Sequence, residues 1–211
     1  MSSSIDIRIF GVPERQEWID RNKRILNVPE ENIIMDYEHY GCAPTARRAW
    51  LKKTDKPFTM VLSDDAELCD DFISYCERIV KAHPKKIISL FPFQFIKPVP
   101  GSRLPAPSES PYVLAKTLSG LGIIMRTEWV EPCIDSWPPY AKGDDTNIQA
   151  WAERNRIKIL TTLPALIQHI GDVSVCDPSR SLGRTPYFAK DPSGFDWDSK
   201  YVRSWTNIID E

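Results

Sequence analysis

The chain lacks several things at once. Glycine is scarce, with 9 in 211 residues, against 18 prolines. That balance speaks for ordered, rigid loops and against long flexible linkers. No CxxC pair occurs among the five cysteines, Cys42, Cys69, Cys76, Cys133 and Cys176. Neither a zinc ribbon nor a redox motif is supported, and free thiols in a reducing compartment are the plain reading. No apolar run approaches the ~20 residues that span a bilayer. The longest, Ile87–Ile96, is interrupted by Pro92. An excess of one charge is missing too, with 27 Lys+Arg against 29 Asp+Glu and a formal net charge of −2. A uniformly basic, polyanion-coating protein is excluded, while a local basic face is not. The opening MSSSIDIRIF has no basic segment followed by an apolar one. No secretory signal is expected from it, and the expected location is cytoplasmic with no membrane association. There is no internal repeat and no low-complexity tract.

What is present is an ordinary globular mixture. Hydrophobic residues make 42% and charged residues 27%, which excludes a wholly disordered chain. A single domain of this length buries about 70–75% of its unfolded surface and needs no disulfide or metal to fold.

Strand and helix signals alternate. Ile5, Ile7 and Ile9 alternate with polar residues, and Pro13 opens a helical stripe of Trp18, Ile19, Ile25 and Leu26. Ile33–Met35 reads as a short strand. Gly41 to Pro44 reads as a loop before a helix over Thr45–Lys53. Phe58–Leu62 is a strand, and Asp70 or Asp71 caps a helix that buries Phe72, Ile73, Cys76, Ile79 and Val80. Strands follow at Ile87–Leu90, Leu121–Met125 and Ile157–Leu160. Helices are expected at Trp129–Ile134 and from Asp144. The prolines between 97 and 111 mark a loop. Residues 172–211 read as an aromatic, Pro-rich tail or lid, with Tyr187, Phe188, Phe195, Trp197, Tyr201 and Trp205. The expected fold is an α/β sheet with helices on both faces, with ligands outside the carboxyl ends of the strands.

Four segments can carry chemistry. In the first, Met60-Val-Leu-Ser63 delivers Asp64 and Asp65 to the end of a strand. Two adjacent carboxylates suit a hard cation such as Mg²⁺ or Mn²⁺ that also holds phosphates. They also suit a turn and a helix cap. In the second, Gly143-Asp144-Asp145 starts a helix, where carboxylates are stabilised by the dipole or serve as a general base. In the third, Leu166-Ile-Gln-His169-Ile-Gly171 holds a histidine between apolar residues, either a core residue or a metal ligand. In the fourth, Ala46-Arg47-Arg48 puts two arginines in an expected first helical turn. Positive charge is unfavourable there unless an anion arrives, and a solvated basic face with Lys52 and Lys53 is the other reading. Asp36, just after the second strand, is placed to make a turn.

Together these segments resemble the GT-A glycosyltransferases, which transfer a sugar from a nucleotide-sugar donor. Ala46-Arg47-Arg48 stands where the family-2 pattern has Ala-Arg-Asn. Ser63-Asp64-Asp65 stands for the DxD-type acidic triplet, with Ser in its first position. Gly143-Asp144-Asp145 is similar to the Gly-Glu-Asp stretch carrying the acceptor base. Gln168-His169-Ile170-Gly171 resembles the Gln-His-(Ile/Val)-Gly segment whose His completes the metal site. The resemblance spans roughly residues 5–174 and implies a Rossmann-like, mixed but mostly parallel sheet. It also implies a metal-dependent hexosyl- or pentosyltransferase with a UDP-sugar as the favoured donor. Mn²⁺ or Mg²⁺ would sit at Asp65 and His169. Asp36, Arg47, Arg48 and Asp64 would contact the donor. Asp145, with Asp144 as the alternative, would be the base, giving inversion at the anomeric carbon; without a base so placed the enzyme would be a retaining one, and the sequence leaves both open.

In length the chain is similar to compact phage-type enzymes, including ones that decorate modified DNA bases. A hydroxymethylated pyrimidine of phage DNA is the most specific acceptor this suggests, with host cytoplasm as the location. Arg21, Lys23, Arg24, Arg47, Arg48, Lys52 and Lys53 would supply the basic face a DNA acceptor needs. Glycan and small-molecule acceptors remain open. A sugar nucleotidyltransferase would need a Gly-rich basic loop where Phe10-Gly11-Val12-Pro13-Glu14-Arg15 stands. A non-catalytic sugar-binding protein would account for the Trp and Tyr content alone.

Overall fold

The structure is a computed structural model that describes residues 3–93, 109–115, 117–141, 143–171 and 183–204. Its frame is a seven-stranded mixed sheet flanked on both faces by helices. The strands are β1 (Ile5–Gly11), β2 (Ile33–Met35), β3 (Phe58–Ser63), β5 (Ile87–Ser89), β6 (Tyr112–Leu114), β7 (Gly122–Arg126) and β8 (Ile159–Thr162). They lie in the order β2-β1-β3-β7-β5-β8-β6. The pairs β1–β2, β1–β3 and β5–β8 are parallel. Strand β7 runs against β3 and β5, and β6 against β8. A separate two-stranded sheet pairs β4 (Ala66–Leu68) with β9 (Ile167–His169).

Side-chain alternation explains the layers. Ile5, Ile7 and Ile9 of β1 and Met60 and Leu62 of β3 face α1 (Gln16–Leu26) and α3 (Phe72–Ala82). Phe10, Val61, Ile123 and Met125 face the other way, onto α2 (Cys42–Leu51), α4 (Thr127–Asp135) and α5 (Asp144–Arg154). The expected α/β sheet with helices on both faces is therefore present.

Three local expectations change. Helix α2 begins at Cys42, not Thr45, because Gly41 takes φ 103° and turns the chain early. Arg47 and Arg48 therefore sit beyond the first turn, so the dipole argument for an anion there does not apply. Asp71 precedes α3 in a left-handed conformation (φ 49°) without a side-chain capping bond. Strand β8 runs over Ile159–Thr162 rather than Ile157–Leu160.

The described part of the tail is built into the body. Trp197 is fully buried, lies 5.2 Å from the Tyr75 ring, and accepts at its carbonyl from the Tyr112 hydroxyl. Arg203 bridges to Val113 beside the outer strand β6. Residues 183–204 therefore contribute to the core through Trp197, with Phe188, Phe195 and Val202 packed against it. Residues 172–182 and Trp205 lie outside the described residues, as does most of the Pro-rich loop and Cys176. Cys42, Cys69, Cys76 and Cys133 are free thiols. Among the described residues, no helix is long and apolar enough to cross a membrane.

Candidate functional site

The carboxyl ends of β1, β2 and β3 are level, with Gly11 beside Met35 and Phe10 beside Ser63. At this edge β3 ends and Asp64 and Asp65 follow at once, 3% and 4% exposed. Asp64 Oδ2 accepts from the Val12 N–H at 3.0 Å. Arg15 bridges the pair, with Nη1 2.9 Å from Asp64 Oδ1 and 2.8 Å from Asp65 Oδ2. Burial and the neighbouring Asp65 charge hold the Asp64 carboxyl above the ordinary carboxylate range, although Arg15 opposes them. Burial also pushes Asp65 up, but His169 and Arg15 outweigh it and leave that group low. Adjacent acids driven apart in this way titrate as a pair.

The small sheet brings His169 to Asp65. Ala66 pairs with His169, and the Ile170 N–H donates to the Asp65 carbonyl at 2.9 Å. His169 Nδ1 then stands 3.6 Å from Asp65 Oδ2, too far for a hydrogen bond. The imidazole packs edge-on against Phe91 at 5.1 Å. Asp65 Oδ1 and His169 Nδ1 are both buried without a hydrogen-bond partner. Buried polar atoms are normally satisfied, so two such atoms on neighbouring side chains make this a candidate ligand position. Among the described residues, no group of three or more His, Cys, Asp or Glu forms a self-sufficient metal cage. One carboxylate and one imidazole, completed by substrate phosphates, suit Mn²⁺ better than Mg²⁺, which takes oxygen ligands.

The second acidic pair lies at the same edge. The Ser63 N–H donates to the Leu121 carbonyl at 3.0 Å. The preceding residue, Gly120, abuts α5 so closely that a Cβ there would stand 2.7 Å from Asp144 Oδ1. Asp144 is 1% exposed, and its Oδ2 accepts from Trp50 Nε1 at 3.3 Å. Its Oδ1 accepts from the Asp145 N–H at 2.9 Å. Burial, with Asp145 adding to it, pushes the Asp144 carboxyl up to about 7. Asp145 is only half-buried, and its Oδ1 accepts from the Thr146 N–H at 2.7 Å. Asp145 is thus the more accessible carboxylate of the two, and Asp144 is enclosed beneath it.

The remaining expected contacts lie around the loop after β2 and along α2. Asp36 is buried and clasps its own loop, accepting from the Tyr40 N–H at 3.0 Å and the Gly41 N–H at 2.9 Å. Burial pushes its carboxyl up, but these amides, Thr45 and Arg48 hold it below the usual range. Arg48 donates to the Met35 carbonyl at 3.0 Å and lies 3.9 Å from Asp36. Arg47 is half-buried on α2. The seven basic residues expected to form one face are split. Arg21, Lys23 and Arg24 ride on α1, on one side of the sheet, and Arg47 and Arg48 on α2, on the other. Lys52 is drawn to the Glu31 carbonyl, and Lys23 to Glu30.

Sequence reasoning missed Arg15. Its distance from Asp64 along the chain hides the contact, although the parallel pairing of neighbouring strands β1 and β3 makes their following loops adjacent. No protein-family model matches the chain, and comparison with curated proteins finds no match.

Proposed function

We propose that this protein is a metal-dependent glycosyltransferase of the GT-A type. It moves a sugar from a nucleoside-diphosphate donor, with UDP-sugars favoured, to a hydroxyl acceptor. One observation carries the reading. Asp65 and His169 come together at the carboxyl edge of the sheet with unsatisfied buried atoms, and a second acid pair stands at that same edge.

When bound, Mg²⁺ or Mn²⁺ would neutralise charge on the departing diphosphate. Asp65 and His169 would hold it, with Asp64 oriented beside them by the Val12 N–H. Asp145 takes the proton from the acceptor hydroxyl as that oxygen attacks the anomeric carbon, which inverts the centre. Asp144 and Trp50 position it from beneath.

Exposed rings offer stacking surfaces near this edge. Tyr37 and Tyr40 stand on the loop after β2, and Tyr140 shortly before α5. Sugars and nucleobases both use such surfaces. Among the described residues, the seven basic residues are divided between the two sides of the sheet, so a hydroxymethylated pyrimidine acceptor would rest on ring contacts.

The test is a thermal-shift screen of nucleotide sugars with Mn²⁺, followed by transfer to hydroxymethylated DNA and to glycans. The true donor raises the melting temperature only with metal. No stabilisation by any nucleotide diphosphate contradicts the reading, and a nucleotidyl product reassigns the site to nucleotidyl transfer.

A further inference from the structure

The acidic pair carries its own cation. Arg15 stands in the short 3-10 turn between β1 and α1, with its side chain only 10% exposed. A single guanidinium nitrogen serves both Asp64 and Asp65. The group also lies 5.2 Å from the Trp18 ring, a cation–π contact that steadies it. Even so, Asp65 Oδ1 and His169 Nδ1 are left without hydrogen bonds. The guanidinium neutralises the pair without using the atoms best suited to a metal.

We propose that Arg15 is a resident counter-cation that gates the metal site. It yields the carboxylates when a divalent ion binds and passes to the diphosphate of the donor. This rests on the glycosyltransferase reading above. A divalent ion at Asp65 and a guanidinium on the same carboxylate would be like charges in near contact, which a poorly hydrated site penalises heavily. The two occupancies therefore exclude one another. A diphosphate offers the displaced guanidinium a charge-assisted, bidentate partner. Each ligand thereby favours the other, and the coupling is reciprocal. Metal alone binds weakly, and metal with nucleotide binds tightly. The resting protein also avoids two bare buried carboxylates.

Calorimetric titration of the full chain with MnCl₂, with and without UDP, tests this in the wild type and in Arg15→Gln. The variant is expected to bind Mn²⁺ alone about tenfold more tightly than the wild type and to lose most of the gain from UDP. If Arg15→Gln does not fold, Arg15→Lys is used. Its compact ammonium lacks the planar fork, and a gain of about threefold is expected. Mn²⁺ affinity equal to or weaker than wild type in the folded variant overturns the role of Arg15 and leaves the metal site standing. No Mn²⁺ binding by either protein, with UDP present or absent, overturns both.

Discussion

Gly11 and Asp64 are in such close contact that a Cβ on Gly11 would lie 2.7 Å from Asp64 Cγ. The end of β1 thus has to be glycine for β3 to deliver its carboxylate beside the Val12 amide. Gly11→Ala is expected to push Asp64 aside, at a cost of about 1–3 kcal/mol from overpacking. Thermal denaturation and Mn²⁺–UDP titration check this. Unchanged stability and affinity would show that the close approach is dispensable.

Asp144 gives the fold a distinctive pH dependence. In the unfolded chain its carboxyl titrates near 3.9, whereas in the fold it is pushed up to about 7. Between those values the folded state holds the extra proton, so this group lowers stability as pH rises from about 4 to 7. The full cost remains above 7. Asp144→Asn removes the titration and loses one hydrogen bond at every pH. Relative to wild type, its stability is expected to improve by on the order of 4 kcal/mol between pH 4 and pH 8. Denaturant melts at both pH values check this, and a pH-independent difference contradicts it.

Asp145 is the kinetic counterpart. Asp145→Asn keeps the shape of the α5 start but removes the proposed proton acceptor. Turnover is expected to fall by about 10²–10⁴-fold. Donor affinity should stay near wild type, because the interaction is made only in the transition state. Single-turnover kinetics beside calorimetry separates the two. Wild-type turnover would move the base elsewhere.

Trp197 fixes the tail. It is fully buried against Tyr75, with its Nε1 donating to the Pro192 carbonyl at 2.8 Å. Trp197→Ala is expected to cost about 3–5 kcal/mol. A melting temperature close to wild type would favour a detachable lid over core coverage for residues 183–204.

Longer periodic segments were legible in the sequence. Alternating isoleucines located β1, and the stripe from Phe72 to Val80 located α3. Strands β4 and β9 were not, because three residues carry too little periodicity and each needs the other for pairing. The small sheet they form is what sets His169 beside Asp65, so the histidine was visible as a candidate while its partner geometry was not. Asp64 and Asp65 stood out because an apolar strand led straight into them. Arg47 and Arg48 were misplaced along α2 because Pro44 looked like a helix start, while Gly41 had already turned the chain. Arg15 carried no local signal, since its partners come from a neighbouring strand.

Asp65 and His169 are proposed to hold a divalent cation for cleavage of a nucleotide sugar. The most direct measurement is release of nucleoside diphosphate from UDP-sugars by the wild type with Mn²⁺, by the wild type in EDTA, and by Asp65→Asn with Mn²⁺. Release is expected with Mn²⁺, abolished by EDTA, and reduced at least ~10²-fold in Asp65→Asn, the scale of losing a main electrostatic stabiliser. Equal release in all three would contradict the claim.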